Sequence, residues 1–223
     1  MIKLPDINKA FEHENNFYLS CDSARIGKLL AHYELFKRAV NLPGVIMEFG
    51  VFKGMSLVRF AMFRKLFSCA ISKKIVGFDT FNKFPEPIYA GDLRHTKKFI
   101  DEAGNDSISK EQLFETLKAR DLDKNVELIG GDICNTGSEY VKTHPELKIS
   151  LLHVDVDLYE PTKVILNNFY SKVVKGGVVI FDDYATFGGE TKAIDEFFKK
   201  KAVNIRKFSF SLRPSYLIKT TNS

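Results

Sequence analysis

The stretch ISLLHVDVDLYEPTKVILNNFYSKVVKGGVVIFDD, residues 149–183, sets the fold class. Two apolar, β-branched runs, ISLLHVDVD (149–157) and GGVVIFDD (176–183), each finish in two aspartates. Between them PTKVILNNFYSKV (161–173) spaces its apolar residues as a helix does. Working outward, VIMEFG (45–50), KIVGFD (74–79) and VELIGGD (126–132) read as three further strands. MSLVRFAMFRKLF (55–67), EQLFETLKARDL (111–122) and ETKAIDEFFKK (190–200) carry helical patterns. Strands that are almost wholly apolar and alternate with helices indicate a mostly parallel, doubly wound α/β sheet with helices on both faces. VNIRKFSFSLR and SYLIKTT, separated by Pro214, predict a closing C-terminal antiparallel hairpin.

Two segments fall outside this alternation. Residues 1–42 hold a helical stretch, SARIGKLLAHYELFKRAVNL, expected to lie across the end of the sheet as a cap. Residues 82–110 are polar and rich in Pro and Gly, too long for a plain strand-to-helix connection, and are expected to form a lid loop. Without repeats, low-complexity segments or linkers, the chain reads as one domain, 1–223.

Composition agrees with that size. With 223 residues, 44% hydrophobic, 20 Phe and 8 Tyr, one sizeable core needs no staples. No apolar run approaches a membrane span and the N-terminus lacks the apolar region of a secretory signal, so the cytoplasm is the expected compartment and no membrane partner is expected. Cys21, Cys69 and Cys134 lie far apart with no CxxC spacing, which argues against disulfides and structural zinc. The net charge of +5 is local. Residues 197–223 carry seven Lys and Arg and no acid, leaving the first 196 residues at −2. Such a distribution fits a charge-protected edge better than a nucleic-acid surface, and no nucleic-acid partner is expected.

In doubly wound sheets the ligand lies beyond the carboxyl ends of the strands. Those ends are acidic here. Glu48, Gly50 and Gly54 close the first strand, and the two glycines would let the backbone approach a ligand, although the spacing GxxxG is not the dinucleotide fingerprint. Asp79 ends the second strand, where an acid can accept hydrogen bonds from a ribose diol. Asp132 ends the third, within reach of an adenine amino group. Helix capping is the competing explanation for each of these acids. Asp155, Asp157, Asp182 and Asp183 crowd the ends of the last two parallel strands. Four such carboxylates repel unless a cation sits among them, and a hard divalent ion such as magnesium, with one Asp left over as a general base, suits that set. His95, His153, Tyr159 and Tyr184 flank these positions without a clear role, and Cys134 has no histidine partner that would make it a nucleophile.

EFGVFKG, GFDTF, GGD, HVDVDLYEPT, GGVVIFDDY and TKAIDEFF, in this order, resemble the macrocin O-methyltransferase family of class I S-adenosylmethionine-dependent methyltransferases, over about residues 20–200. The resemblance implies a Rossmann-like fold and magnesium-dependent methyl transfer from S-adenosylmethionine to a hydroxyl of a sugar or glycosylated natural product, in a homo-oligomer, expected as a dimer. It places Glu48, Gly50 and Gly54 at the methionine side of the cofactor, Asp79, Thr80 and Phe81 at its ribose, and Gly131, Asp132 and Ile133 at its adenine. Asp155, Asp182 and Asp183 match magnesium ligands, with Asp157 as base. His153 and Lys53 depart from the family's usual residues, and 82–110 matches no block of it. A catechol-type acceptor is the alternative within enzymes. From another class, a non-catalytic nucleotide-binding protein would use the same acids only as caps.

Overall fold

The computed structural model describes residues 2–221; residues 1 and 222–223 of the expected 1–223 domain lie outside the described residues. A seven-stranded sheet forms its centre, in the order β3-β2-β1-β4-β5-β7-β6. β1 (Val45–Phe49), β2 (Ile75–Asp79), β3 (Val126–Gly130), β4 (Ile149–Val154) and β5 (Val173–Phe181) run parallel. β7 (Ser215–Ile218) runs antiparallel to β5, and the two-residue β6 (Arg206–Lys207) pairs antiparallel to β7 on the edge, which realises the expected hairpin.

Alternation along each strand divides the core into two layers. Met47, Phe49, Val76, Phe78, Leu152, Val154, Val179 and Phe181 face α6 (Ile133–Thr143), α7 (Tyr159–Phe169) and α8 (Gly188–Phe198). Ile46, Ile75, Leu151, Val178 and Ile180 face α2 (Ser23–Ala39), α3 (Met55–Phe67) and α5 (Lys110–Lys118). Because successive side chains of a strand point to opposite faces, both layers are filled only when nearly every strand residue is apolar.

Two expectations need correction. The helical stretch expected across the sheet's end is α2, and it packs along the sheet face through Leu35, Phe36 and Ala39. Only its first half reaches the strand ends. α1 (Ala10–Ser20) precedes it and buries none of its residues. The segment 82–110 is not a plain loop. Lys83 pairs with Asp106 and Ser107 N–H donates to Asn82 O, so its two ends close on each other. A helix, α4 (Leu93–Ala103), forms between them and ends at Gly104 with φ +81°. Polar as it is, α4 holds its place through Phe99, whose ring lies 5.3 Å from those of Phe52 and Phe84. One further helix, α6, was not among those expected and has no strong sequence signal. ICNTGSEYVKT is rich in residues that favour caps and turns, and tertiary packing of Ile133 and Tyr140 decides its conformation.

Arg64 joins the elements on the amino side of the sheet. Its guanidinium, 2% exposed, donates to the carbonyls of Lys73, Asn125, Leu122 and Lys124 at 2.7–3.2 Å, binding α3 to the chain that enters β2 and β3. Arg64→Met deletes all four bonds. A loss of about 2–4 kcal/mol in urea unfolding is expected, because buried charge-assisted bonds vanish and carbonyls lose their donor. An unchanged unfolding midpoint would refute that account.

Candidate active site

The carboxyl ends of β1, β2, β4 and β5 open into one cavity of about 730 Å³. Gly50, Asp79, Thr80, Asp132 and Ile133 line one side of it, and Asp155, Asp157, Asp182 and Asp183 another. Phe84, Ile88, His95 and Phe99 of the 82–110 segment roof it. The remaining expected cofactor residues, Glu48, Gly54, Phe81 and Gly131, stand behind this wall. Gly54 begins α3 at φ +84° beneath Leu113, and Phe81 packs on the core.

Gly50 shows why the end of β1 has no side chain. Its φ is +90°, and a Cβ there would fall 1.7 Å from the carbonyl oxygen of Asp155. β1 therefore passes directly against the acid-bearing turn after β4. Asp79 and Asp132 both carry structural hydrogen bonds as well as facing the cavity. Asp79 accepts from the N–H groups of Phe52 (2.9 Å) and Phe81 (2.7 Å), drawing together the loops after β1 and β2. Asp132 caps α6 through Cys134 N–H (2.9 Å). Capping and ligand binding thus compete for the same oxygens, and the free lone pairs of each carboxylate are what a ligand would meet.

The four aspartates come together, though not in an extended chain. Asp157 takes φ +60°, bending the turn so that oxygens of Asp155, Asp157 and Asp183 lie within 4.8 Å of one another. Asp182 faces another way. Lys28 of α2 donates to its Oδ2 at 2.5 Å, while His153 Nε2 and His32 Nε2 approach Oδ1 at 3.3 and 3.7 Å. Arg213, on the loop before β7, donates to Asp183 Oδ1 at 2.5 Å. Two protein cations therefore already stand in the acid cluster, where sequence reasoning supplied only a metal. Lys28, Arg213, His32 and the buried Glu190 were invisible to that reasoning, because each comes from an element far along the chain whose placement the local pattern does not encode.

Burial and mutual repulsion divide the acids by protonation. Burial, then the charges of Asp182 and Asp183, raises Asp155 well above the usual carboxylate range. Burial and the neighbouring Asp183 do the same to Asp157. Burial opposes the charge of Asp182 as well, but Lys28 and the two histidines outweigh it and hold that group well below the usual range. Burial raises Glu190, whose Oε1 accepts from Asp183 N–H at 3.1 Å. His153 is completely buried behind the cavity, between Glu48 and Asp182, whereas His95 lies on the roof. Tyr159 and Tyr184 point away, their hydroxyls donating to Glu196 (2.6 Å) and Asp195 (2.8 Å). Cys134 touches the cavity as a thiol that burial pushes up to about 11, which leaves it a poor nucleophile.

A doubly wound sheet with antiparallel β7 beside β5, and a cavity over the strand ends, defines the class I methyltransferase fold. Residues 22–208 match the macrocin O-methyltransferase (TylF) family, and the chain belongs to it. It is 30% identical over 164 residues to the demethyldecarbamoylnovobiocin O-methyltransferase of Streptomyces niveus, a match covering 70% of this chain and 59% of that relative's length. Among solved structures it resembles the calicheamicin methyltransferase CalS11, with TM-score 0.77 and 28% identity over 96% of this chain and 86% of the other. An apo structure of CalS11 describes it as a TDP-rhamnose 3'-O-methyltransferase. The O-methyltransferase NovP superposes with TM-score 0.74 and 26% identity, covering 88% and 81% of the two chains. No helix among the described residues is long and apolar enough to cross a membrane.

Glu48 gives the buried side of the site a pH dependence. Burial raises its carboxyl from 4.5 to about 7, although Ser56 Oγ donates to it at 2.5 Å. The folded state then binds the proton more tightly than the unfolded chain, so stability from this group is full below pH 4.5 and is lost as pH rises through about 7. Glu48→Gln keeps the Ser56 bond without the charge. Its melting temperature should gain on the wild type between pH 5 and pH 8, approaching ~3 kcal/mol in stability. A pH-independent difference would rule out a buried, titrating Glu48.

Proposed function

We propose that this chain transfers the methyl group of S-adenosylmethionine to a hydroxyl of a sugar or glycosylated natural product, with a divalent ion, magnesium, in the acid cluster. One observation carries the proposal: a single cavity joins the strand-end wall at Gly50, Asp79 and Asp132 to four carboxylates that can handle a hydroxyl. By its name one relative methylates demethyldecarbamoylnovobiocin, and CalS11 is described as a TDP-rhamnose 3'-O-methyltransferase, which supports the acceptor class. The chain is taken as one methyltransferase domain with 82–110 over its cavity.

S-adenosylmethionine, when bound, supplies an electrophilic methyl group for in-line transfer to oxygen, so the protein's part is to bind, orient and deprotonate. Gly50, Thr80, Asp132 and Ile133 would hold the donor, with the outward lone pairs of Asp79 on its ribose. The oxygen-only donor set at the acids fits a hard divalent ion. Asp155 and Asp183, whose oxygens lie together with that of Asp157, would hold it along with Asp182, whose Oδ2 Lys28 occupies in this structure, and an ion there would lower the pKa of a bound hydroxyl. Asp157 would take the hydroxyl proton in its ionised form; burial and Asp183 push it toward the protonated form, and a cation among the acids would favour the ionised one. Lys28 lies 2.5 Å from Asp182 and 4.0 Å from Asp155, so it competes for the carboxylates the ion needs. Roof residues Phe84 and Phe99 would exclude water from the methyl donor.

Calorimetry with S-adenosylhomocysteine tests the donor site, and labelled methyl transfer to nucleotide sugars, glycosides and catechols tests the acceptor. Asp157→Asn should lower turnover about 10²- to 10⁴-fold at every magnesium concentration, whereas Asp155→Ala should recover partly as magnesium is raised. Full wild-type activity in chelator would refute the metal step, and magnesium rescue of Asp157→Asn would make that residue a ligand.

Lys28→Met should act in the opposite sense. Removing an ammonium beside Asp155 and Asp182 should tighten magnesium binding by about tenfold in titration calorimetry. Weaker binding would show that Lys28 supports the ion site instead of competing with it.

A further inference from the structure

Behind the aspartates lies a polar group that the methyl-transfer steps leave unused. His32 of α2, His153 of β4 and Asp182 after β5 each offer one ligand atom, all within 4.8 Å of one another, and both rings are completely buried. Buried polar atoms are normally hydrogen-bonded. Three here are not: His32 Nε2, His153 Nδ1 and Glu48 Oε2 have no hydrogen-bond partner.

Tautomers separate the two histidines. Arg59, which can only donate, stands 3.1 Å from His32 Nδ1, so His32 carries its proton on Nε2 and has no lone pair there for an ion. His153 is placed differently. Its Nε2 lies 3.3 Å from Asp182 Oδ1 and 3.8 Å from Asp155 Oδ2, on two carboxylates that line the cavity. Ligand atoms held about 2.0–2.2 Å from one ion stand roughly 3–3.5 Å apart, so this nitrogen and these oxygens are close to the spacing of a shared ion. A cation already stands beside them. The Lys28 ammonium sits 2.5 Å from Asp182 Oδ2 and 4.0 Å from Asp155 Oδ2.

The far side of the ring fits as well. A histidine that bonds an ion through Nε2 carries its proton on Nδ1, and a carboxylate behind it holds that proton. Glu48 is in that place, with Oε1 3.9 Å from Nδ1 and Oε2 unpaired. In the present arrangement Nε2 donates to Asp182 instead, which leaves Nδ1 bare. On ion binding one proton leaves Nε2 and one is taken up at Nδ1, so the ring stays neutral and both orphaned atoms gain a use.

We infer that His153 is a nitrogen ligand of the ion site, beside Asp155 and Asp182, and that the site takes a borderline divalent transition ion such as zinc in preference to magnesium. Magnesium demands oxygen ligands, whereas imidazole suits zinc, iron and nickel. The inference rests on the ion site proposed above and changes its selectivity. The chemistry asked of the ion, acidifying a bound hydroxyl, is the same.

Metal binding without methyl donor or acceptor is the first measurement. In titration calorimetry the wild type should bind one zinc ion at least about 100-fold more tightly than magnesium. His153→Gln can still donate to Asp182 but offers an ion only oxygen. It should weaken zinc by about 100-fold and leave magnesium within about threefold, while His32→Gln keeps the zinc preference. Equal affinity of the wild type for the two ions, a zinc preference that survives His153→Gln, or one lost in His32→Gln would overturn the assignment. A wild type that binds neither ion would refute the ion site itself and His153's place in it. Nitrogen-15 NMR of the histidine rings is the second measurement and needs no variant. Without metal, His153 should carry its proton on Nε2. One equivalent of zinc should move it to Nδ1 and leave His32 unchanged. Bound zinc with the His153 tautomer unmoved would overturn the inference, even where magnesium-dependent methyl transfer is found.

Discussion

Five carboxyl groups, those of Asp155, Asp157, Asp182, Asp183 and Glu190, are packed around the ends of two adjacent strands, all but the partly exposed Asp155 buried. Such a concentration of acid is unstable by itself, and much of the chain's arrangement answers to it. Lys28 and His32 arrive from α2, Arg213 from the loop before β7, and His153 from β4 itself. Where cations are insufficient, protons complete the balance: burial holds Asp155, Asp157 and Glu190 toward their neutral forms, while Asp182 stays ionised against Lys28. A cluster neutralised by movable cations and protons is ready to exchange them for another cation, which is what the proposed metal step requires.

Around this cluster the sheet supplies rigidity. Strand residues filling both layers fix the heights at which β1, β2, β4 and β5 end, and the glycine at position 50 lets β1 lie against the turn after β4. The roof is built differently. Segment 82–110 has little core of its own and is held by its closed neck, the Phe52–Phe99–Phe84 contacts and Asp92. Sheet and roof meet at the helix starts of α7 and α8, so the stable and the loosely held parts of the molecule share one junction.

The strands and most helices were legible because their signals are local. The apolar runs at 45–49, 75–79, 149–154 and 173–181 are too hydrophobic for one-sided strands, and MSLVRFAMFRKLF occupies its predicted helix from Met55 to Phe67. α6 was not legible, since Thr, Ser, Gly and Asn there favour turns until Ile133 and Tyr140 meet the core. α4 was missed for a different reason: Leu93, Phe99, Ile100 and Ala103 recur at helical spacing, but Pro85, Pro87 and Gly91 just ahead of it made the whole segment read as a loop.

Sequence by itself determined the sheet, the family resemblance and the presence of acids at successive strand ends, because strand period, apolar content and residue identity at the strand boundary are all properties of neighbouring residues. It left open what each acid does. Only the tertiary structure decided that Asp182 faces Lys28 and the histidines, that Asp155, Asp157 and Asp183 share a space, and that Asp92 caps α7 from 67 residues before Tyr159. Those pairings join residues far apart in the chain, and the charges that meet in a buried cluster are set by how its elements pack.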